Sequence, residues 1–262
     1  RRLNNTAAKG IFAVINTPKM GTGGLLATAL SRDCTESNID VGGLGMYDCP
    51  DEKTVLRTHK FDIGSNAIKE YRTNNPGSQC LIVTAIRNPT SWLASKFLES
   101  LGAAKFVRAL GGCNLDEWPS KETLLRDYQK YAQSKGSYGA LTHALPGLLE
   151  EFGGGEIREQ FEIMDANEGY SLLGPAPPGS IVEGCNLLFL RMEQSDRWPA
   201  IFEQIDPTVE FKKGLARDEQ CPNLTEYIKV ITDYEMTIEE KQTIYQRGDD
   251  NLRDWFDAYG YL

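Results

Sequence analysis

Three short runs of consecutive apolar residues stand out in the hydrophobic pattern of the chain. They are Ile11–Ile15, Cys80–Ile86 ("CLIVTAI") and Asn186–Leu190 ("NLLFL"). Uninterrupted apolar runs of this length are typical of strands that are buried on both faces of a parallel sheet, whereas half-exposed strands alternate. We therefore expect these runs to be strands of one parallel sheet.

Apolar residues at helical spacing fill the intervals between these runs. The predicted helices are Gly24–Ser31, Ser65–Tyr71, Thr90–Leu101, Lys121–Ser134, Ala140–Phe152, Ser195–Ile205 and Thr237–Ala258. This alternation predicts an α/β fold in which helices flank a central parallel sheet through right-handed crossovers. The stretch 102–154 is mostly helical in pattern and is expected to be an insertion on one side of the sheet.

Composition and charge narrow the classes of function. The 262 residues are 40% hydrophobic and 25% charged, as in an ordinary globular protein of one α/β domain. The net charge of -9 argues against a general nucleic-acid binder, so an anionic ligand would need a local cluster of cations and amides. No apolar run approaches the roughly 20 residues that span a bilayer. An anchoring or targeting segment could nevertheless precede Arg1.

The six cysteines contain no CxxC pair, so a zinc site is not expected. Cys80 and Cys185 border apolar runs and are interpreted as buried free thiols. The better disulfide candidates are Cys34 with Cys49, and the loop residues Cys113 or Cys221. The acceptor sequons for N-glycosylation, Asn4-Asn5-Thr6 and Asn223-Leu224-Thr225, favour a secretory lumen slightly over the cytosol.

A glycine-rich loop follows the first apolar run, in "INTPKMGTGGLLATAL". Gly21, Gly23 and Gly24 would let the backbone approach an anion closely, and Thr22 would add a hydroxyl donor. The amides and the dipole of the helix that follows favour a phosphate there, although such a turn can also be purely structural. Lys19 precedes the glycines, so the loop does not match the GxxxxGK[ST] loop of nucleotide triphosphatases.

A second strand-to-helix transition occurs in "CLIVTAIRNPTSWLASKFLES". Arg87 lies where the strand ends, and Pro89 and Thr90 are consistent with a helix start, with Thr90 as its cap. The guanidinium is therefore expected at the carboxyl edge of the sheet, where ligands of open α/β folds bind. Ser95 lies about two turns into the helix, where its hydroxyl could face the same side.

Together these segments resemble the PAPS-dependent sulfotransferase family, and they are closer to its carbohydrate (Golgi-type) branch than to its cytosolic branch. The family's 5′-phosphosulfate loop reads PKxGTT or RKGGTRALL, which "PKMGTGGLLATAL" is similar to. Its 3′-phosphate segment has an arginine before an RDP or RNP turn and a serine eight residues later, as Arg87 and Ser95 are here. Met20 and Gly23 depart from the family pattern. The resemblance implies a P-loop-like sulfotransferase fold that binds PAPS as co-substrate through Lys19, the loop residues, Arg87 and Ser95.

The resemblance also bears on the catalytic base, for which the chain offers two histidines. "RTHKFD" is similar to the KTHLP motif of cytosolic members, whose histidine is the base, and to the EVHFFD motif of heparan sulfotransferases, whose glutamate is the base. Arg57 stands at that glutamate's position, which leaves His59 as the predicted base. Asp62 and Arg57 are candidate substrate-binding residues, Asp62 also as an orienting carboxylate. His143 lies in an apolar helical pattern and is interpreted as structural.

In this interpretation Lys19 lies at the oxygen that bridges phosphate and sulfate. Negative charge builds on that oxygen as the S–O bond breaks, so a fixed ammonium there stabilises the transition state more than the ground state. No metal is required for this chemistry. Later in the chain, "EFKKGLARDEQC" resembles a family segment that approaches the 3′-phosphate, which makes Lys213 and Gly214 candidate cofactor contacts.

The resemblance covers 11–100 and 186–262, within one predicted sulfotransferase domain over 1–262. Residues 1–10 would be an N-terminal extension, and 102–185 would form the insertion on the acceptor side. The expected function is sulfuryl transfer from PAPS to a hydroxyl or amine, most simply of a glycan in the Golgi lumen. The alternatives are a cytoplasmic sulfotransferase of the same fold acting on small alcohols, phenols or amines, a P-loop kinase-like nucleotide-binding protein, and a pseudoenzyme that binds the nucleotide without turnover.

Overall fold

The computed structural model of the chain describes residues 10–15, 34–39, 44–100, 119–134, 145–154, 157–167, 169–205, 229–247 and 250–259. The chain forms two compact units. The first comprises Arg1–Arg87 and Ala140–Gly214, and the second comprises Asn88–Gly139 and Leu215–Leu262. The single domain expected over 1–262 stays a prediction.

The first unit is built on a sheet that has seven strands within the described residues, in the order β2-β3-β4-β1-β5-β7-β6. The strands are β1 (Gly10–Ile15), β2 (Thr35–Ile39), β3 (Gly45–Asp48), β4 (Lys53–Thr58), β5 (Gln79–Ile86), β6 (Tyr170–Leu173) and β7 (Asn186–Arg191).

The centre of the sheet is parallel and its margins are antiparallel. β1 pairs in parallel with β4 and β5, and β5 pairs in parallel with β7. The outer strands β2, β3 and β6 join by antiparallel pairing. The predicted strands Ile11–Ile15, Cys80–Ile86 and Asn186–Leu190 are confirmed as β1, β5 and β7, since all three have parallel neighbours and are almost wholly buried. The molecule is therefore an α/β protein with a mostly parallel central sheet.

Eight helices of at least two turns are described. They are α1 (Phe61–Asn74), α2 (Pro89–Ser100), α3 (Lys121–Ala132), α4 (Leu145–Phe152), α5 (Ile157–Ala166), α6 (Trp198–Ile205), α7 (Ile238–Arg247) and α8 (Asp250–Ala258). The predicted helix Ser65–Tyr71 is the middle of the longer α1, and the single helix predicted over Thr237–Ala258 is described as two. The predicted helix Gly24–Ser31 lies outside the described residues.

Helices cover both faces of the sheet in the first unit. On one face α6 packs its Trp198, Ile201 and Phe202 against a buried cluster that includes Val14 and Val83. On the other face α1 lies so close to the strands that a Cβ at Gly64 would be 2.7 Å from Ile15 Cδ1 and 2.8 Å from Thr58 Cγ2. This close approach holds the start of α1 against the carboxyl ends of β1 and β4.

Two disulfides join strands of the sheet. Cys34 and Cys49 are bonded across the β2–β3 hairpin, with Cα atoms 4.1 Å apart, which confirms that predicted pair. Cys80 and Cys185 are also bonded, so their interpretation as free thiols was wrong. The reason is that β5 and β7 are neighbours in register, which brings two distant cysteines together. Disulfides persist in oxidising compartments, and these two indicate such a compartment for this chain.

In the second unit, Asn88 rather than Thr90 caps helix α2. Asn88 Oδ1 accepts hydrogen bonds from the Thr90 amide (3.0 Å), the Ser91 amide (3.3 Å) and the Thr90 hydroxyl (2.7 Å). The predicted cap was wrong by two residues because Pro89 already occupies the first helical position. Arg87 is thus followed at once by a capped helix start.

An aromatic group links α2, α3 and the segment before α7. The ring of Tyr128 lies 5.4 Å from Phe97 and 6.3 Å from Tyr234. The Tyr234 hydroxyl accepts from Gln129 (2.8 Å) and donates to Glu240. Burial raises the pKa of Tyr234 above its usual value, and the Glu240 carboxylate adds to the rise. The second unit thus has its own packed interior.

Within the described part of the chain, none of the helices has the length and apolar character needed to cross a membrane.

Candidate functional site

The carboxyl ends of the parallel strands meet at one edge of the sheet. Ile15 at the end of β1 is level with Thr58 at the end of β4, and Ile86 at the end of β5 is level with Arg191 at the end of β7. Because β1 lies between β4 and β5, the ends of those two strands are about 10 Å apart, one strand spacing on either side of β1. His59 and Arg87, which follow Thr58 and Ile86, therefore flank the exit of β1.

His59 occupies a two-residue connection between β4 and α1. On one side Thr58 is fully buried, and its hydroxyl accepts a 3.2 Å hydrogen bond from the Lys60 amide. On the other side Phe61 opens α1 and lies against α4, where a Cβ at Gly147 would be 2.9 Å from the Phe61 ring. The half-buried His59 is thus held between two packed neighbours, and its role as a base stays a prediction.

Arg87 lies between the last residue of β5 and the helix cap Asn88. Its side chain is half-buried, and strand residues Thr84, Ala85 and Ile86 before it are buried. Arg87 is the first residue after a buried strand and the last residue of the first unit. The structure thus agrees with the expectation that Arg87 lies at the carboxyl edge.

Arg57 lies on β4 two residues before His59 and has a neighbour that the sequence did not predict. Arg57 pairs with Val14 on one side and with Gly45 of β3 on the other. The ring of Tyr47 lies over Gly45, since a Cβ added to Gly45 would be 3.2 Å from the Tyr47 hydroxyl oxygen. The signal that could have indicated Tyr47 is the short stretch "GLGMYDC", which reads as a hairpin strand before β4.

Asp62 lies in the first turn of α1 with its side chain exposed. Its backbone carbonyl accepts from the Ser65 hydroxyl at 3.1 Å. Its carboxylate makes no ion pair or hydrogen bond within the residues that the structure describes, and its charge suits the positive end of the helix dipole. The orienting role for Asp62 stays a prediction.

Arg191 is a further cation at this edge that sequence inspection overlooked. It ends β7, and its guanidinium lies 2.6 Å from the Asp165 carboxylate and 5.1 Å from the centre of the Phe161 ring. The side chain is only 16% exposed, and both partners belong to α5. Arg191 therefore helps to hold α5 against the sheet, a role that Arg57 does not share in the described residues.

Several predicted site residues cannot be located at this edge. Ser95 lies in the second turn of α2, in the second unit, and is half-buried. Those outside the described residues are Lys19, Gly21, Thr22, Gly23, Gly24, His143, Lys213 and Gly214. The described edge thus presents His59, Arg87 and Arg57 from the sequence-based set, together with Arg191 at the end of β7 and with Tyr47 on the strand beside Arg57.

Comparison with known proteins adds no assignment. No protein-family model matches the chain, and no curated protein matches it significantly. The function must therefore be argued from the residues.

Proposed function

We propose that this protein is a PAPS-dependent sulfotransferase that transfers the sulfuryl group to a hydroxyl or amine of a glycan. The observation that carries the proposal is the strand order β4-β1-β5. In this order the carboxyl ends of β4, β1 and β5 lie at one edge, which supports the proposal because a segment that resembles a sulfotransferase motif begins at or follows the end of each of these strands in the sequence. Ile15, the last residue of β1, lies at the middle of this edge, with His59 following the strand on one side and Arg87 following the strand on the other.

In the proposed reaction the acceptor oxygen or nitrogen attacks the sulfur of PAPS, and the S–O bond to the 5′-phosphate breaks. His59 takes the proton of the acceptor, and the electron pair of the broken bond leaves with adenosine 3′,5′-bisphosphate. Lys19 stabilises the charge that develops on the leaving oxygen, and Arg87 binds the 3′-phosphate through its planar fork of donors. The two disulfides support an oxidising lumen, and the proposed compartment is the Golgi.

The test is a thermal-shift titration with adenosine 3′,5′-bisphosphate, the desulfated product. We expect this nucleotide to raise Tm clearly and ATP with magnesium to raise it weakly, because the bisphosphate suits two separate phosphate sites. Arg87→Ala should remove most of the shift, since an arginine–phosphate fork is stronger than a neutral hydrogen bond.

Arg158→Ala is the matched control, because Arg158 is 67% exposed on α5 and its one ion pair among the described residues is with Glu162, at 3.7 Å. This variant should keep the full shift. If ATP stabilises the protein as well as the bisphosphate does and Arg87→Ala changes nothing, the assignment is wrong and a P-loop nucleotide-binding function replaces it.

A further inference from the structure

Thr58 is a polar residue at a position where the fold would accept an apolar one. It is the last residue of β4, it is fully buried, and it lies level with Ile15 at the end of β1. Valine has nearly the same shape and also favours strands, so burial in the sheet does not account for a hydroxyl here. A buried hydroxyl costs free energy unless it is hydrogen-bonded, so its partner indicates its role.

The hydrogen bond of this hydroxyl spans His59. Thr58 Oγ1 accepts from the Lys60 amide at 3.2 Å, so the bond closes over the one residue between them. The carbonyl of Lys60 in turn accepts from the Gly64 amide at 3.1 Å, in the first turn of α1. The backbone of Lys60 is therefore held by the sheet through its amide and by the helix through its carbonyl. His59 precedes this doubly held residue and follows a buried one.

Packing directs the Thr58 hydroxyl towards that amide. The methyl group of Thr58 lies against α1, where a Cβ at Gly64 would be 2.8 Å from Thr58 Cγ2. Because Oγ1 and Cγ2 are bonded to the same Cβ, a threonine whose methyl is held against a helix also has the direction of its hydroxyl fixed. The methyl contact and the hydrogen bond therefore act together on the backbone of His59.

We propose that Thr58 is a positioning residue for the proposed base, and that its hydroxyl fixes the direction in which His59 leaves the sheet. This inference rests on the proposed sulfotransferase function. A base must lie within hydrogen-bond reach of the acceptor proton, and a bond that spans its backbone reduces the orientations that its imidazole samples. The effect belongs to the rate of transfer rather than to nucleotide binding, because the Thr58 side chain is buried beneath the edge.

The first test observes His59 without any transfer step. Thr58→Val removes the hydroxyl and keeps the methyl group, whereas Thr58→Ser keeps the hydroxyl. NMR spectra of the imidazole groups report on His59 directly, since the chain has only two histidines and His59→Gln assigns the signal. We expect Thr58→Val to shift or split the His59 signal and to raise the hydrogen-exchange rate of the Lys60 amide about ten-fold, as the loss of one hydrogen bond allows. Thr58→Ser should keep the wild-type signal and exchange rate.

The second test measures transfer from PAPS. Thr58→Val should lower kcat about five-fold, while KM for PAPS and the Tm shift given by adenosine 3′,5′-bisphosphate stay unchanged, because only the proton-transfer step is impaired. Thr58→Ser should recover most of the rate. Thr54→Val is the matched control, because Thr54 is also buried and lies on the same face of β4 near its other end. It should leave kcat and the His59 signal unchanged.

A further pair of variants covers the case in which valine does not fit. Thr58→Ala and Thr58→Ser lack the same methyl group and differ only in the hydroxyl, so the same differences should appear between these two. The inference is overturned if the His59 signal and the Lys60 exchange rate do not depend on the hydroxyl, or if Thr54→Val changes them equally. It is also overturned if both respond while kcat stays at the wild-type value.

The proposed function can fail separately. If the wild-type protein neither transfers from PAPS nor responds to adenosine 3′,5′-bisphosphate, the sulfotransferase is wrong. A His59 signal that changes in Thr58→Val and is restored in Thr58→Ser would then still show that Thr58 orients His59. If transfer and the nucleotide shift are present and the hydroxyl affects neither the signal nor kcat, the sulfotransferase stands and the positioning role is wrong.

Discussion

The two edges of the parallel strands in the first unit are held in different ways. At the amino edge, both disulfides fasten the sheet. Cys80 begins the buried part of β5 and is bonded to Cys185, which directly precedes β7. Cys49 is bonded to Cys34, and its amide is hydrogen-bonded to Lys53, the first residue of β4. Covalent bonds therefore fix where the parallel strands start.

At the carboxyl edge the described strands are not joined by a disulfide, and this edge presents polar side chains. His59 and Arg87 follow β4 and β5 directly, and Arg57 lies one residue before the end of β4. The comparison teaches that stability and proposed chemistry belong to opposite ends of the same strands. Substitutions at the carboxyl edge should change activity most, and those at the amino edge should change stability most.

The largest effect is expected from His59→Ala at the carboxyl edge. Transfer from PAPS should fall about 10³-fold, because the acceptor keeps its proton. Activity should recover in part as the pH rises towards ionisation of the acceptor, while Tm and the nucleotide-induced shift stay near their wild-type values. The measurement is the rate of radiolabel transfer across pH, with Asp62→Ala in parallel. A fully active His59→Ala enzyme with an ordinary alcohol acceptor would direct the search to Asp62.

The double variant Cys80→Ala/Cys185→Ala should lose about 4 kcal/mol of unfolding free energy, because the bridge closes a loop of 105 residues. Cys34→Ala/Cys49→Ala, whose bridge spans 15 residues, should lose about 3 kcal/mol. Urea unfolding measures both. Thiol titration of the denatured, unreduced wild-type protein should find at most two free thiols, those of Cys113 and Cys221. Four or more free thiols would show that at least one of the two disulfides is absent, which would contradict the pairing of these strands.

Gly64→Ala probes the packing that holds the carboxyl edge. Its Cβ would meet Ile15 and the buried Thr58, so we expect a loss of about 1–2 kcal/mol despite the better helix propensity of alanine. Asn66→Ala, an exposed position on the same helix, should be neutral or slightly stabilising and serves as the control. If Gly64→Ala were as stable as Asn66→Ala in urea, α1 would not press on these strand ends.

The smallest effect is expected in the loop that leads into β7 at the amino edge. Glu151 accepts hydrogen bonds from the Ser180 hydroxyl at 2.6 Å and the Ile181 amide at 3.0 Å. Glu151→Gln should cost about 1 kcal/mol because charge-assisted bonds are replaced by neutral ones. Glu162→Gln, whose side chain is 72% exposed, should cost nearly nothing. The hydrogen-exchange rate of the Ile181 amide should rise in Glu151→Gln and stay unchanged in Glu162→Gln.

The central strands could be predicted because burial on both faces leaves an unbroken apolar run. β1, β5 and β7 show this signal, but the outer strands do not. The sequences of β2 ("TESNI") and β3 ("GMYD") are short and contain polar residues, since β2 lies at the margin of the described sheet and the residues of β3 are at most half-buried. Without β3 the opposition of Gly45 and Arg57 could not be foreseen, so Tyr47 was missed.

His59 and Arg87 could be selected from the sequence because each follows a strand-like segment directly. The sequence could not predict that these two residues lie at the same edge of the sheet, since this depends on β1 lying between β4 and β5. The same reason explains the Cys80–Cys185 bond, which requires β5 and β7 to be neighbours in register. Local pattern thus predicts elements and chemistry, whereas strand order decides which residues meet.

The two disulfide spans also set an order of events during biosynthesis. The Cys34–Cys49 bridge can close as soon as one hairpin has emerged, because only 15 residues separate its thiols. The Cys80 thiol must wait for Cys185, and Cys113 emerges during that interval. An early Cys80–Cys113 bond would keep β7 from its place beside β5. We therefore expect refolding of the reduced chain to give a higher yield of the Cys80–Cys185 bond when a disulfide isomerase is added.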